Sequence, residues 1–142
     1  MPHIRITAAH GTFDKHTQDV FVAKINDAVL RVEQASVTDP GAQSLAWVFF
    51  EELPKEDVYI GKENHAQPPV VIRITTPAGS LQQSDRNALA LTINDIVNSS
   101  IGQFNNRLNH WLLMDEIPVG GWAGAGTIFS IEDVKAAMNI VA

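Results

Sequence analysis

The chain contains no cysteine, which removes disulfides, thiolate nucleophiles, cysteine-ligated zinc and iron–sulfur clusters in one step. Cations are scarce: ten Lys and Arg stand against sixteen Asp and Glu, for a formal net charge of −6. Phosphate backbones are bound by clustered Lys and Arg, so no nucleic-acid partner is expected. No apolar run approaches the ~20 residues needed to cross a bilayer, and the opening residues Met1-Pro2-His3-Ile4-Arg5-Ile6-Thr7 lack the basic-then-apolar pattern of a secretory signal. No membrane partner is expected, and the cytoplasm is the expected location. His3, His10, His16, His65 and His110 show no ligand pair at helical spacing with a carboxylate. Gly121, Gly124 and Gly126 are not followed by the Lys-Ser/Thr of a phosphate loop, and no serine sits in a nucleophile elbow. No metal or nucleotide cofactor is implied. What the chain does have is apolar content, 45% hydrophobic against 18% charged over 142 residues, enough for one packed domain.

It also repeats itself. Ile4-Arg5-Ile6-Thr7 returns 68 residues later as Ile72-Arg73-Ile74-Thr75. The same spacing carries Gly11-Thr12-Phe13 onto Gly79-Ser80-Leu81, and Ile25-Asn26-Asp27-Ala28-Val29 onto Ile93-Asn94-Asp95-Ile96-Val97. Further on, Trp47-Val48-Phe49-Phe50-Glu51-Glu52-Leu53-Pro54 matches Trp111-Leu112-Leu113-Met114-Asp115-Glu116-Ile117-Pro118 at a spacing of 64. The second copy is therefore four residues shorter, with the loss expected around residues 36–43.

Each copy reads as strand, helix, strand. Residues 2–8 alternate Ile4 and Ile6 with His3, Arg5 and Thr7, a two-residue period. A helix is expected over about 13–34, with Phe21, Ile25, Ala28 and Val32 on one face. In the second copy Leu89, Ile93, Ile96 or Val97 and Ile101 supply the stripe, and Ser80 with Gln83 fits a capping box. Strands near 45–52 and 110–116 end at Pro54 and Pro118, which cannot feed a sheet ladder. The pseudo-repeats run 1–60 and 69–130, joined by a linker at 61–68, and Ser130 with Asp133 caps a short C-terminal helix over 130–139. The expected fold is α+β: a tandem βαβ repeat forming a four-stranded mixed sheet with two helices on one face. The other face, carrying His3, Arg5, Thr7, Trp47 and Phe49, needs cover, which a cyclic trimer or a face-to-face dimer would provide.

Pro2 directly after Met1, the βαβ unit of about sixty residues, its tandem copy, Gly11 before the first helix and the glycine-rich Gly120-Gly121-Trp122-Ala123-Gly124 resemble the tautomerase superfamily, in particular its fused members built from two 4-oxalocrotonate tautomerase-like units. The resemblance covers almost the whole chain. It implies that Met1 is removed, that the prolyl amine of Pro2 is the catalytic base or acid, that no cofactor is used, and that the chain assembles as a homotrimer. The chemistry of such a base is general: an amine held in an apolar surround loses its proton more readily, and the proline ring pins φ and so aims the lone pair. With Met1 attached, the nitrogen is an amide and cannot titrate. The counterpart of Pro2 in the second copy is Val70, inside the chain, so one site per chain is expected.

The family's usual arginines are missing. Thr12 and Ser80 stand at the position after the glycine, Trp47 and Trp111 at the start of the second strand, and Thr75-Thr76-Pro77-Ala78-Gly79-Ser80 where the dehalogenase and decarboxylase branches carry cations. The water-activating Tyr and Glu of the cis-dehalogenase branch align with Leu113 and Gly124, and its helix histidine with Val29. An uncharged or monoanionic carbonyl substrate suits what remains. Candidate substrate-binding residues are Arg73 and Arg107, with Lys62 as a further cation, and the aromatics Tyr59, Phe50 and Phe49. Asn105, Asn106 and His110 are possible hydrogen-bond donors. Arg5 and Arg73 occupy equivalent positions, which equally fits a shared sheet-face ion pair. Three functions stay open: a cofactor-independent tautomerase or isomerase acting on a small keto–enol substrate, a non-catalytic trimeric ligand-binding or assembly protein, and a decarboxylase or hydratase of the same superfamily.

Overall fold

The computed structural model describes residues 1–140. Strand β1 (His3–Ala9) runs parallel to β2 (Trp47–Leu53) and antiparallel to β3 (Val70–Pro77), and β3 runs parallel to β4 (His110–Ile117), giving the order β2-β1-β3-β4. Each parallel pair is bridged by a helix, α1 (Lys15–Val32) or α3 (Gln83–Ile101), as parallel strands require. The two copies meet at the central antiparallel pair, where Ile4 faces Ile74, Arg5 faces Arg73 and Ile6 faces Ile72. The equivalent glycines Gly11 and Gly79 both turn with positive φ, +86° and +88°, a conformation open to glycine at little cost.

Alternation along the strands sends Ile4, Ile6, Ile72 and Ile74 into the core, where they meet Phe21, Ile25 and Val29 of α1 and Leu89, Ile93 and Val97 of α3. All ten are essentially inaccessible to solvent, and each large side chain so buried is worth about 1.5–3 kcal/mol. The opposite sheet face stays open, with Trp47 and Trp111 each 60% exposed and Phe49 and Leu113 beside them.

Several boundaries differ from those read off the sequence. Helix α1 starts at Lys15 because Asp14 Oδ1 accepts the Thr17 amide at 2.7 Å. It ends at Val32 because Gln34 turns left-handed (φ 65°), letting its amide reach Arg31 O and the Ala35 amide reach Leu30 O. The expected Ser80–Gln83 capping box does not form. Leu81 remains buried ahead of the helix, so the cap shifts on two residues to Gln82, whose amide donates to Asp85 Oδ2 at 2.8 Å. Strand β2 begins at Trp47 and not near 45, because the extra residues of the first copy wind into a short helix, α2 (Pro40–Leu45), capped by Asp39 through Ala42 N at 2.8 Å. The linker region carries local order: Asn64 Nδ2 donates to Glu56 O and Val58 O.

After β4 a hairpin pairs β5 (Ala123–Gly124) with β6 (Thr127–Ile128). Its two-residue turn, Ala125 and Gly126, has positive φ at both positions, which matches the strand twist. Helix α4 (Ile131–Ala137) then returns across the start of β1, capped reciprocally by Ser130 and Asp133. It docks on α2: a Cβ at Gly41 would lie 2.6 Å from Ala137 O, and Asn139 Nδ2 donates to Asp39 Oδ1 at 3.0 Å. Among the described residues no helix is long and apolar enough to cross a membrane.

Candidate active site

Pro2 is buried where the chain enters β1, its carbonyl accepting the Trp47 amide at 3.2 Å. It borders a cavity of about 560 Å³ whose walls are His3, Leu45, Trp47, Phe49, Trp122, Phe129 and the hairpin residues 123–125, with Met1 on the inner side. Three local devices fix those walls. Trp47 Nε1 donates to Ser44 O at the end of α2, at 3.0 Å. The His3 and Phe49 rings pack tilted with centroids 5.4 Å apart. Phe129 is tied by its amide to Trp122 O and lies over Gly124, where a Cβ would approach its ring to 3.1 Å.

Met1 fills the inner end. Its side chain joins a cluster with Leu30, Ala35, Ala42, Val134 and Met138, so α1, α2 and α4 all contribute to its seat. Its amine donates to Glu33 Oε2 at 3.0 Å and lies 2.8 Å from Met138 Sδ. The Glu33 side chain is only 2% exposed, and its Oε1 is buried without a partner. Desolvation pushes the Met1 amine below its ordinary range, and the attraction of Glu33 offsets part of that. Desolvation likewise pushes the Glu33 carboxyl up, opposed by the amine. Burial is the larger influence on both groups.

The residues singled out from sequence are not gathered here. Phe50 points to the opposite side of β2, edge-on to Phe13 at 5.7 Å against the core, because strand alternation sends neighbours to opposite faces. Phe49 is the one that reaches the cavity. Tyr59 is 60% exposed in the β2–β3 connection. Arg73 lies on the open sheet face, paired with Asp115 at 3.0 Å. Arg107 stacks over Phe104 at 4.4 Å and donates to Gln67 O, near the start of β3. Among the described residues no Lys or Arg lines the Pro2 cavity. The sequence reading passed over Glu33, Leu45, Phe129 and Met138. Glu33 left a trace, since it continues the spacing of Ile25 and Val29 along the buried face of α1.

A family model described as "Putative oxalocrotonate tautomerase enzyme" matches residues 1–130. The chain belongs to this tautomerase family. Helix α4 lies beyond the matched residues. No curated protein sequence matches the chain. Solved tautomerase-like structures resemble it in fold. One is a wild-type fused 4-OT symmetric trimer, 18% identical, covering 87% of this chain and 92% of that one with a TM-score of 0.70. Another is Pt0534 inactivated by 2-oxo-3-pentynoate, 17% identical over 89% of this chain and 94% of that one, TM-score 0.73. A third, a member of the cis-3-chloroacrylic acid dehalogenase family, is 13% identical over 90% of this chain and 83% of that one, TM-score 0.72.

Proposed function

We propose that the protein is a cofactor-independent tautomerase or isomerase in which Pro2, freed by removal of Met1, shuttles a proton on a small carbonyl compound. The observation that carries this reading is the position of Pro2, buried at the edge of a largely apolar cavity whose described walls hold no Lys or Arg. Once terminal, Pro2 is a secondary amine in a surround that disfavours its charged form. Full burial lowers an amine pKa by up to ~3–5 units, which would make it a base at neutral pH. It takes the proton α to a carbonyl and returns it at the other end of the enol system. With no arginine clamp, a dicarboxylate has nothing to bind its charges, so uncharged or monoanionic substrates are favoured.

A homotrimer accompanies this reading. The open sheet face carries the exposed apolar side chains Trp47, Phe49, Trp111 and Leu113, and grouped exposed apolar residues mark interaction sites. A fused 4-OT relative in fold is described as a symmetric trimer.

The buried, hydrogen-bonded Met1 amine favours a second reading, in which Met1 is retained and the protein is a non-catalytic binding or assembly protein. The discriminating experiment is ketonisation of an enol substrate by wild type and Pro2→Ala. A fall in kcat of about 100-fold or more fits a positioned acid–base group; unchanged turnover in the variant contradicts it.

A further inference from the structure

We propose that Glu33 is the second proton-transfer group of the Pro2 site, and that the site takes an uncharged carbonyl compound with an unbranched apolar chain, seated where the Met1 side chain lies. This rests on the prolyl reading above and specifies the group that answers Pro2 across the substrate.

Three features of the site converge. Glu33 Oε2 holds the Met1 amine at 3.0 Å, and one residue of backbone separates that nitrogen from Pro2 N, so the carboxyl and the prolyl nitrogen lie within about 7 Å of each other. A carbonyl carbon with its oxygen and α-carbon spans such a gap. Glu33 Oε1 is buried with no hydrogen-bond partner. An unmatched buried polar atom is costly, and a substrate oxygen is a partner of the right kind. Finally, the Met1 side chain, an unbranched chain, is enclosed by Leu30, Val134 and Met138. Met1, Leu45 and Phe129 also stand between the main cavity and a smaller one of about 260 Å³ under α4. Removing Met1 would open these spaces to one another and toward Glu33, which contacts the Met1 amine, with Asp133 of α4 on the wall of the smaller one.

The step balances without a co-reactant. Pro2 N takes the α-proton, the carbon electrons form the C=C bond, and the carbonyl oxygen takes the proton from Glu33. The products are an enol, a prolyl ammonium and a Glu33 carboxylate; the reverse transfers regenerate the ketone. Burial pushes the Glu33 carboxyl up, in the direction that favours its proton-donating form. With Met1 removed, the prolyl nitrogen is the charged group on the β1 side; Met138, just after α4, offers a neutral thioether, and Asp133 of α4 lines the smaller cavity. An anionic substrate group at this end would meet a carboxyl and no cation, which selects against keto acids.

The test uses the Met-free protein and two probes, 2,4-heptanedione and its carboxylate analogue 2,4-dioxoheptanoate, with ketonisation followed by absorbance. Wild type should prefer the diketone by tenfold or more, and should lose about fourfold in kcat/KM for each methylene removed on going to 2,4-pentanedione. Its kcat/KM should be bell-shaped in pH, reporting Pro2 and Glu33, and Glu33→Gln should lose one limb with kcat down about 100-fold and KM changed only a few-fold. A preference for the dioxoacid overturns the substrate class in wild type alone, whatever the variant does. Wild-type kcat with both limbs in Glu33→Gln overturns the role of Glu33. If Pro2→Ala turns over the diketone at the wild-type rate, the prolyl reading itself has failed.

Discussion

Arg5 and Arg73 face each other across the antiparallel β1–β3 pair, and each turns to a carboxylate on its own outer strand, Glu51 and Asp115, at 3.0 Å in both copies. The tandem repeat thus reproduces its surface ion pair as well as its core. That pairing holds Arg73 on the open sheet face, outside the walls of the Pro2 cavity, and Trp47 and Trp111 lie on the same face.

These two ion pairs contribute little to the fold of a single chain. Both partners are about half exposed, and such pairs are worth about 0–1 kcal/mol. Arg5→Ala should therefore shift the denaturant midpoint by no more than that allows, with the difference shrinking further in high salt. A loss of several kcal/mol would mean that the pair is buried in an assembly.

Trp111 gives the sharper view of assembly. It is exposed on β4, so a charge in its place costs one chain little but is severely penalised at an apolar interface. Light scattering should give a three-chain mass for wild type and a one-chain mass for Trp111→Glu. A wild-type monomer would contradict the trimer.

Gly41 marks where α2 and α4 touch. A Cβ there would meet the Ala137 carbonyl at 2.6 Å, a backbone atom with little room to yield. Gly41→Ala is expected to cost about 1–3 kcal/mol and to loosen α4, visible as faster amide hydrogen exchange over residues 131–138. Unchanged exchange there would show that α4 is held by other contacts.

Burial raises the Glu33 carboxyl above its ordinary value of 4.5. The folded chain therefore keeps this proton after the unfolded chain has released it. The stability linked to it is full below about 4.5 and is lost as pH rises through the raised folded value. Urea unfolding of the protein carrying Met1 over that interval should show a decline that Glu33→Gln lacks; parallel curves would contradict the raised carboxyl.

Much of the architecture was legible because it rests on periodicity. Ile4 with Ile6, Ile72 with Ile74, and the helix stripes carry their own spacing, and the copies check one another. The cap at Gln82 was not legible, since Ser80 satisfies the local rule and only the burial of Leu81 displaces it. Helix α2 was hidden as a gap in the repeat. The site was less legible than the fold. Pro2 stood out through the family resemblance; of the two candidates Phe49 and Phe50, strand alternation puts only Phe49 at the cavity and turns Phe50 to the core. Glu33, Leu45, Phe129 and Met138 meet Met1 through contacts between distant parts of the chain, and sequence spacing does not report those. Arg107 stood out as a scarce cation, yet it serves a loop carbonyl and the Phe104 ring.

Catalysis as proposed requires that Pro2 become a free, activated amine in an apolar pocket. Intact mass of the purified protein, before and after treatment with the uncharged ynone 3-butyn-2-one across a pH series, tests it most directly. The expected result is a mass lacking Met1, a single adduct mapping to Pro2, and labelling that titrates near or below neutrality. Retained Met1, or a Met-free N-terminus that fails to label, would contradict it.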